Sequence, residues 1–144
     1  MTGVQTCALP ISTFTSAYTR IGFSPDGSST WFLPRLIGRR RAMEMYLTNR
    51  TLSAQEALDW GLVNRVVPAA DLMDEVAKLA TQLASGPTRT YGGVKKLMHM
   101  SSVDSLESQM ELETRTLAEM AASPDAREGI RAFIEKRKPE FRGE

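Results

Sequence analysis

One cysteine and one histidine occur among the 144 residues. With Cys7 alone, no disulfide can form within the chain, which fits a reducing compartment. An internal structural zinc site, which usually takes four Cys or His ligands, is excluded on the same count. Charge of one sign is equally scarce: 18 Lys and Arg against 17 Asp and Glu leave a formal net charge of +1. A nucleic-acid surface needs a strong basic excess, so no nucleic-acid partner is expected and any anion site has to be local. No apolar run approaches the ~20 residues of a membrane span. The stretch Ala8-Leu9-Pro10-Ile11, with no Lys or Arg before it, is too short for a secretory signal. The chain therefore reads as cytoplasmic, without a membrane partner. What it does contain, 42% hydrophobic and 24% charged residues, places it with globular rather than disordered chains, and the length suits one domain.

The opening MTGVQTCALPIS follows neither a helix nor a strand period. Residues 1–13 read as a disordered or non-native leader and are expected to stand outside the fold. Turn chemistry comes next, in Ser24-Pro25-Asp26-Gly27-Ser28-Ser29. Apolar residues at helical spacing (Phe32, Leu36, Met43, Leu47), interrupted by Gly38, predict two short helices over 29–36 and 39–48. Ser53 and Glu56 form a capping box for a helix that ends at Gly61, where a left-handed residue is easiest for glycine. The β-branched run Leu62–Val67, closed by Pro68, predicts a strand.

Four helices are expected after it. Asp71 can cap the first, whose Leu72, Val76, Leu79 and Leu83 share a face. Gly86-Pro87 separates it from the second, which carries Val94, Leu97 and Met98. Asp104 with Glu107 is read as a capping-box variant opening the third, striped by Leu106, Met110, Leu117 and Met120. Ser123-Pro124 opens the fourth as N-cap and first helical position, and Ile130, Phe133 and Ile134 are expected to face inward. One strand among so many helices cannot satisfy its own backbone groups, which implies that a sheet lies elsewhere in a larger domain.

The run GFSPDGSSTWFLPRLIGRRRAMEMYLTNRTLSAQEALDWGLVNRVVP, residues 22–68, together with Arg127–Arg137, resembles the crotonase superfamily, the enoyl-CoA hydratase/isomerase family. A Gly-x-x-Pro turn, a Leu-Pro-Arg-Leu-Ile-Gly helix, the Ser-Ala-Gln-Glu-Ala turn and a Trp-Gly-Leu-Val approach to a strand follow in the family's order. A lone match to any one of these would be weak. The resemblance runs from about Phe14 to Phe141. It implies an α/β crotonase-like (ClpP/crotonase) spiral fold, here reduced to a mostly helical C-terminal part with one or two short strands. Residues 14–68 would belong to the core and residues 69–144 to a helical, oligomer-forming region. Family members are considerably longer, so an incomplete enzyme is expected, inactive by itself and prone to associate through exposed apolar faces.

The resemblance also implies chemistry. In its isomerase branch an acidic residue of the Pro-Asp turn lies beside the acyl chain, which makes Asp26 the candidate catalytic residue. A carboxylate is suited to moving a proton next to a thioester carbonyl, helped by an oxyanion hole that would lie outside this chain. Hydratases of the family place a Glu eight residues earlier, where this chain has Tyr18. That departure favours an isomerase, and Thr30-Trp31 after the turn looks most like the ring-opening 1,2-epoxyphenylacetyl-CoA isomerases of phenylacetate catabolism. Enoyl-CoA hydratase is the alternative. Tyr18, Pro25 and Trp31 are the implied acyl-side contacts. Phe133 and Lys136 match the helix that contacts coenzyme A, where an aromatic packs on adenine and a lysine pairs with phosphate. Coenzyme A belongs to the substrate, and no separate cofactor or metal is expected. A homo-oligomer, trimer or hexamer, is implied for the full-length form. Where the family often carries a glycine pair, Gly27-Ser28-Ser29 departs from it, and Ser29 is expected to limit close backbone approach. Arg39-Arg40-Arg41 reads as a solvated helix face, and His99 has no motif partner.

Overall fold

The computed structural model describes residues 7–144 and divides into two compact units, one up to Val76 and one over Ala77–Glu144. In the first, four short strands form two two-stranded sheets. β1 (Cys7–Ala8) pairs in parallel with β4 (Arg65–Val66), and β2 (Thr13–Thr15) pairs antiparallel with β3 (Thr51–Ser53). This is more strand than expected, and Cys7, Ala8 and Thr13 take part in it, so the described part of the supposed leader belongs to the fold. Its first six residues lie outside the described residues.

Period two explains the second sheet. Phe14 faces Leu52 across the ladder, Leu52 is wholly buried while Thr51 and Ser53 are exposed, and alternate side chains of a strand point to opposite faces. Leu52 packs with Ile37, Ala42, Met45 and Tyr46, and Phe14, Leu33, Trp60 and Leu62 close around them. A smaller cluster of Ala8, Ala57 and Val63 continues this core.

The helices supplying that core follow the predicted spacing. α1 (Ser29–Ile37) and α2 (Arg39–Thr48) are separated by Gly38. Its φ of 82° and ψ of 151° fall in a region open essentially to glycine alone. α3 (Ala54–Asp59) carries the full capping box: Glu56 N–H donates to Ser53 Oγ at 3.2 Å and Ser53 N–H donates to Glu56 Oε2 at 2.9 Å. The Ser53 N–H, with Arg50 at 2.6 Å, holds the Glu56 carboxyl below its usual range. The strand expected over 62–67 shrinks to Arg65–Val66. The N–H groups of Leu62 and Val63 both donate to the Ala57 carbonyl, at 2.8 and 3.3 Å, so they end α3 instead of joining a ladder.

α4 (Leu72–Ala84) begins directly after Asp71. The second unit continues with α5 (Thr88–Met100), α6 (Leu106–Ala121) and α7 (Pro124–Glu135). Gln109 donates to the Leu97 carbonyl and Arg89 pairs with Glu119, so α5 and α6 run antiparallel. Ser105, not Asp104, caps α6: its extended backbone lets Oγ accept from Ser108 N–H at 3.2 Å. Ser123 caps α7 by accepting from Ala126 N–H at 3.1 Å, with Pro124 in the first turn. The expected inward face of α7 does not hold. Ile130, Phe133 and Ile134 are 63%, 84% and 73% exposed, while the buried residues of the helix are Asp125 and Ala132. Helical periodicity identifies an apolar stripe but not which face meets protein, and here the chain beyond α7 folds back along the opposite side.

Candidate active site

Tyr18 opens a single 3₁₀ turn, Tyr18–Ile21. That turn is pinned to the end of α2: the Thr19 hydroxyl donates to the Tyr46 carbonyl at 2.7 Å and Arg20 donates to the Asn49 carbonyl at 3.1 Å. The chain leaves the turn through Gly22 and reaches Asp26 eight residues after Tyr18. The phenol of Tyr18 donates to Asp26 Oδ1 at 2.7 Å. That hydrogen bond, followed by desolvation and the carboxylate charge, pushes the Tyr18 phenol above its ordinary value. Two residues that sequence spacing presents separately are thus one phenol–carboxylate pair.

A tight turn sets the pair's position ahead of α1. The Ser29 N–H donates to the Asp26 carbonyl at 3.0 Å, and the two central residues, Gly27 and Ser28, have φ of 59° and 61°. Two left-handed central residues with this closing bond make a type I′ turn, which favours glycine, asparagine or aspartate. Gly27 meets the demand without cost. Ser28 does so under strain, so the departure from a glycine pair falls on Ser28 rather than on Ser29. Ser29 Oγ is buried with no hydrogen-bond partner. The Ser28 carbonyl accepts from the N–H groups of Trp31 and Phe32 and so leads into α1.

Asp26 is exposed, Pro25 and Tyr18 are half-buried, and no other side chain bonds the Asp26 carboxylate among the described residues. One carboxylate oxygen is therefore fixed by the phenol and the other is available to take a proton. Trp31, in the first turn of α1, is 37% exposed, with the Arg35 guanidinium 3.5 Å from its ring centre and bonded to its carbonyl at 2.8 Å. The i, i+4 spacing of Trp31 and Arg35 on one helix face is the sequence signal for this cation–π contact. Arg41 and Arg50 lie 5.0 and 4.8 Å from the Trp60 ring, so one member of the Arg39–Arg41 run contacts an aromatic ring instead of only solvent.

Phe133 and Lys136 belong to the second unit. Phe133 projects from α7, and Lys136 is that helix's left-handed C-cap, with φ of 53°. Among the described residues no group of three or more His, Cys, Asp or Glu side chains could hold a metal ion, and no helix is long and apolar enough to cross a membrane.

The enoyl-CoA hydratase/isomerase family matches residues 6–144, almost the whole chain. The chain belongs to this family. Named relatives within it differ in reaction. The chain is 42% identical over 130 residues to the "Probable enoyl-CoA hydratase" of Rhodobacter capsulatus, covering 90% of this chain and 51% of that protein. It is 43% identical over 125 residues to 4-chlorobenzoyl coenzyme A dehalogenase-1 of Arthrobacter sp, covering 87% and 45%. The 1,2-epoxyphenylacetyl-CoA isomerase of Escherichia coli K12 is 38% identical over 130 residues, covering 90% and 50%. Among solved structures, the enoyl-CoA hydratase of Bacillus anthracis superposes with a TM-score of 0.89 at 32% identity, over 96% of this chain and 54% of that one. The crotonase fold follows from this likeness. The chain spans about half the length of the curated relatives it matches.

Proposed function

We propose that this chain supplies the proton-transfer residue of an acyl-CoA isomerase, with Asp26 as the base and Tyr18 as the group that orients it. The observation that carries this reading is the 2.7 Å hydrogen bond from the Tyr18 phenol to Asp26 Oδ1. The available oxygen of Asp26 takes a proton from carbon next to the thioester carbonyl, an enolate forms, and the same carboxyl returns the proton at another carbon. Enolate stabilisation falls to backbone donors in the part of the relatives that this chain does not span. A thioester of coenzyme A is the substrate class, because all three relatives named above carry a CoA thioester in their names. The isomerase relative, 38% identical, supports 1,2-epoxyphenylacetyl-CoA as the finer assignment. Pro25 and Trp31 line the acyl side, Phe133 and Lys136 contact coenzyme A, and no further cofactor takes part. The full-length enzyme works in the cytoplasm as a homo-oligomer, supported by the exposed Ile130, Phe133 and Ile134.

Hydration is the second reading, favoured by the 42% identity to the Rhodobacter protein. It requires a second carboxylate, and Tyr18 stands where the family's hydratases carry one. The deciding experiment uses this chain joined to the N-terminal portion that its relatives possess. Asp26→Asn is expected to lower isomerase kcat by about 10²–10⁴-fold, with negligible water addition to crotonyl-CoA by the unsubstituted enzyme. Full isomerase turnover in Asp26→Asn refutes the role of Asp26; brisk hydration with no isomerisation selects the second reading.

A further inference from the structure

Beyond α7 the chain turns back and is clasped by two carboxylates of that helix. Asp125 is 3% exposed, and its two oxygens accept the N–H groups of Arg142 and Gly143, both at 2.8 Å. One turn later, Glu128 takes Arg137 in a two-pronged pair at 2.6 and 3.0 Å and also accepts Glu140 N–H at 3.0 Å. Arg137 is committed further: its Nε pairs with Glu135 at 2.6 Å and Nη1 also reaches the Lys138 carbonyl, so four of its five N–H donors are engaged. Lys136 sits between the helix and this clasp. Its N–H donates to the Phe133 carbonyl and that of Arg137 to the Ala132 carbonyl, a Schellman-type ending. Lys136 is exposed and, among the described residues, takes part in no ion pair.

The basic run Lys136-Arg137-Lys138 is thus divided in labour. Arg137 is spent on holding the main chain, and a neighbouring ammonium is left for an anion. We propose that Glu128 is a positioning residue: through Arg137 it fixes the backbone at Lys136 so that the lysine meets a phosphate of coenzyme A. This rests on the coenzyme A contact assigned to Lys136 above. A pre-ordered segment binds more tightly than one that must be ordered on contact, because the entropy has already been lost.

The test is calorimetric titration of this chain, joined to the N-terminal portion that its relatives possess, with coenzyme A and with pantetheine, which lacks the nucleotide and its phosphates. Glu128→Gln is expected to weaken coenzyme A binding roughly five- to tenfold, the equivalent of re-ordering about one residue, to leave pantetheine binding unchanged, and to speed amide exchange at Arg137 and Glu140. Arg137→Lys keeps the charge but loses the two-pronged pairing. It is read in the same way and serves should Glu128→Gln not fold. Equal weakening toward both probes means a purely structural role and overturns the inference. So does unchanged coenzyme A affinity in Glu128→Gln alongside a loss in Lys136→Ala, a result that leaves the coenzyme A reading standing. No effect of Lys136→Ala, or no coenzyme A binding by the unsubstituted joined protein, removes both.

Discussion

Replacing Ser28 by glycine should stabilise the protein, although glycine substitutions usually do the reverse. Ser28 holds φ of 61° and ψ of 15° in the turn that carries Asp26. A non-glycine residue in that left-handed well costs roughly 1–2 kcal/mol, which Ser28→Gly recovers. Against this, glycine adds backbone freedom to the unfolded chain, at a cost of about 0.5–1 kcal/mol. The Ser28 side chain caps nothing here, so no hydrogen bond is lost. The difference is a gain of roughly 0–1.5 kcal/mol, centred on about 0.7, and for a chain of this length up to about 6 °C in Tm. Urea denaturation is the assay, with the gain appearing as a higher midpoint at unchanged slope. Ser28→Ala is the control: it removes the hydroxyl but keeps the strain, and should sit at or below the original stability. A Ser28→Gly protein less stable than Ser28→Ala would refute the reasoning.

Two further outcomes concern titration. Spectrophotometric titration at alkaline pH should show Tyr18 ionising above the ordinary tyrosine value, and Asp26→Asn should bring it down, because the carboxylate is the main cause of the rise. Since the folded-state value is the higher one, the stabilisation linked to Tyr18 is complete below about pH 10 and is lost as pH rises beyond it. Glu128 behaves oppositely. Arg137, with the Glu140 N–H, holds its carboxyl well below the ordinary glutamate range, at about 2. Its contribution is present above about pH 4.5 and disappears as pH falls toward 2. Acid unfolding of Glu128→Gln should accordingly be shallower across that window, and an unchanged acid limb would contradict the pairing.

How much of this could be read beforehand divides along physical lines. Features written in adjacent residues were legible: the Ser53–Glu56 box, the Ser123-Pro124 start of α7, and the break at Gly38. Each depends only on local backbone demands that few side chains satisfy. The sheets were not, because strands of two or three residues carry too little period to detect, and Cys7–Ala8 finds its partner only at Arg65–Val66. The strand over 62–67 was overdrawn because β-branched composition does not reveal that Ala57 already claims two of its donors. At the site, Asp26 and Tyr18 were each singled out through the family pattern. Their bond depends on how the 3₁₀ turn is anchored to the end of α2, and no spacing rule encodes that.

The grip of Asp125 on the chain's end is made entirely through main-chain amides. Such a hold is indifferent to the side chain at position 142, provided it keeps its N–H, whereas position 143 calls for glycine: its φ is 79° and a Cβ there would collide with Thr88 Oγ1. It is sensitive to how many residues lie between the helix and the grip. Evolution can therefore rewrite position 142 at little expense, whereas a side chain at 143, a single insertion, a deletion, or a proline at 142 would let this segment come loose.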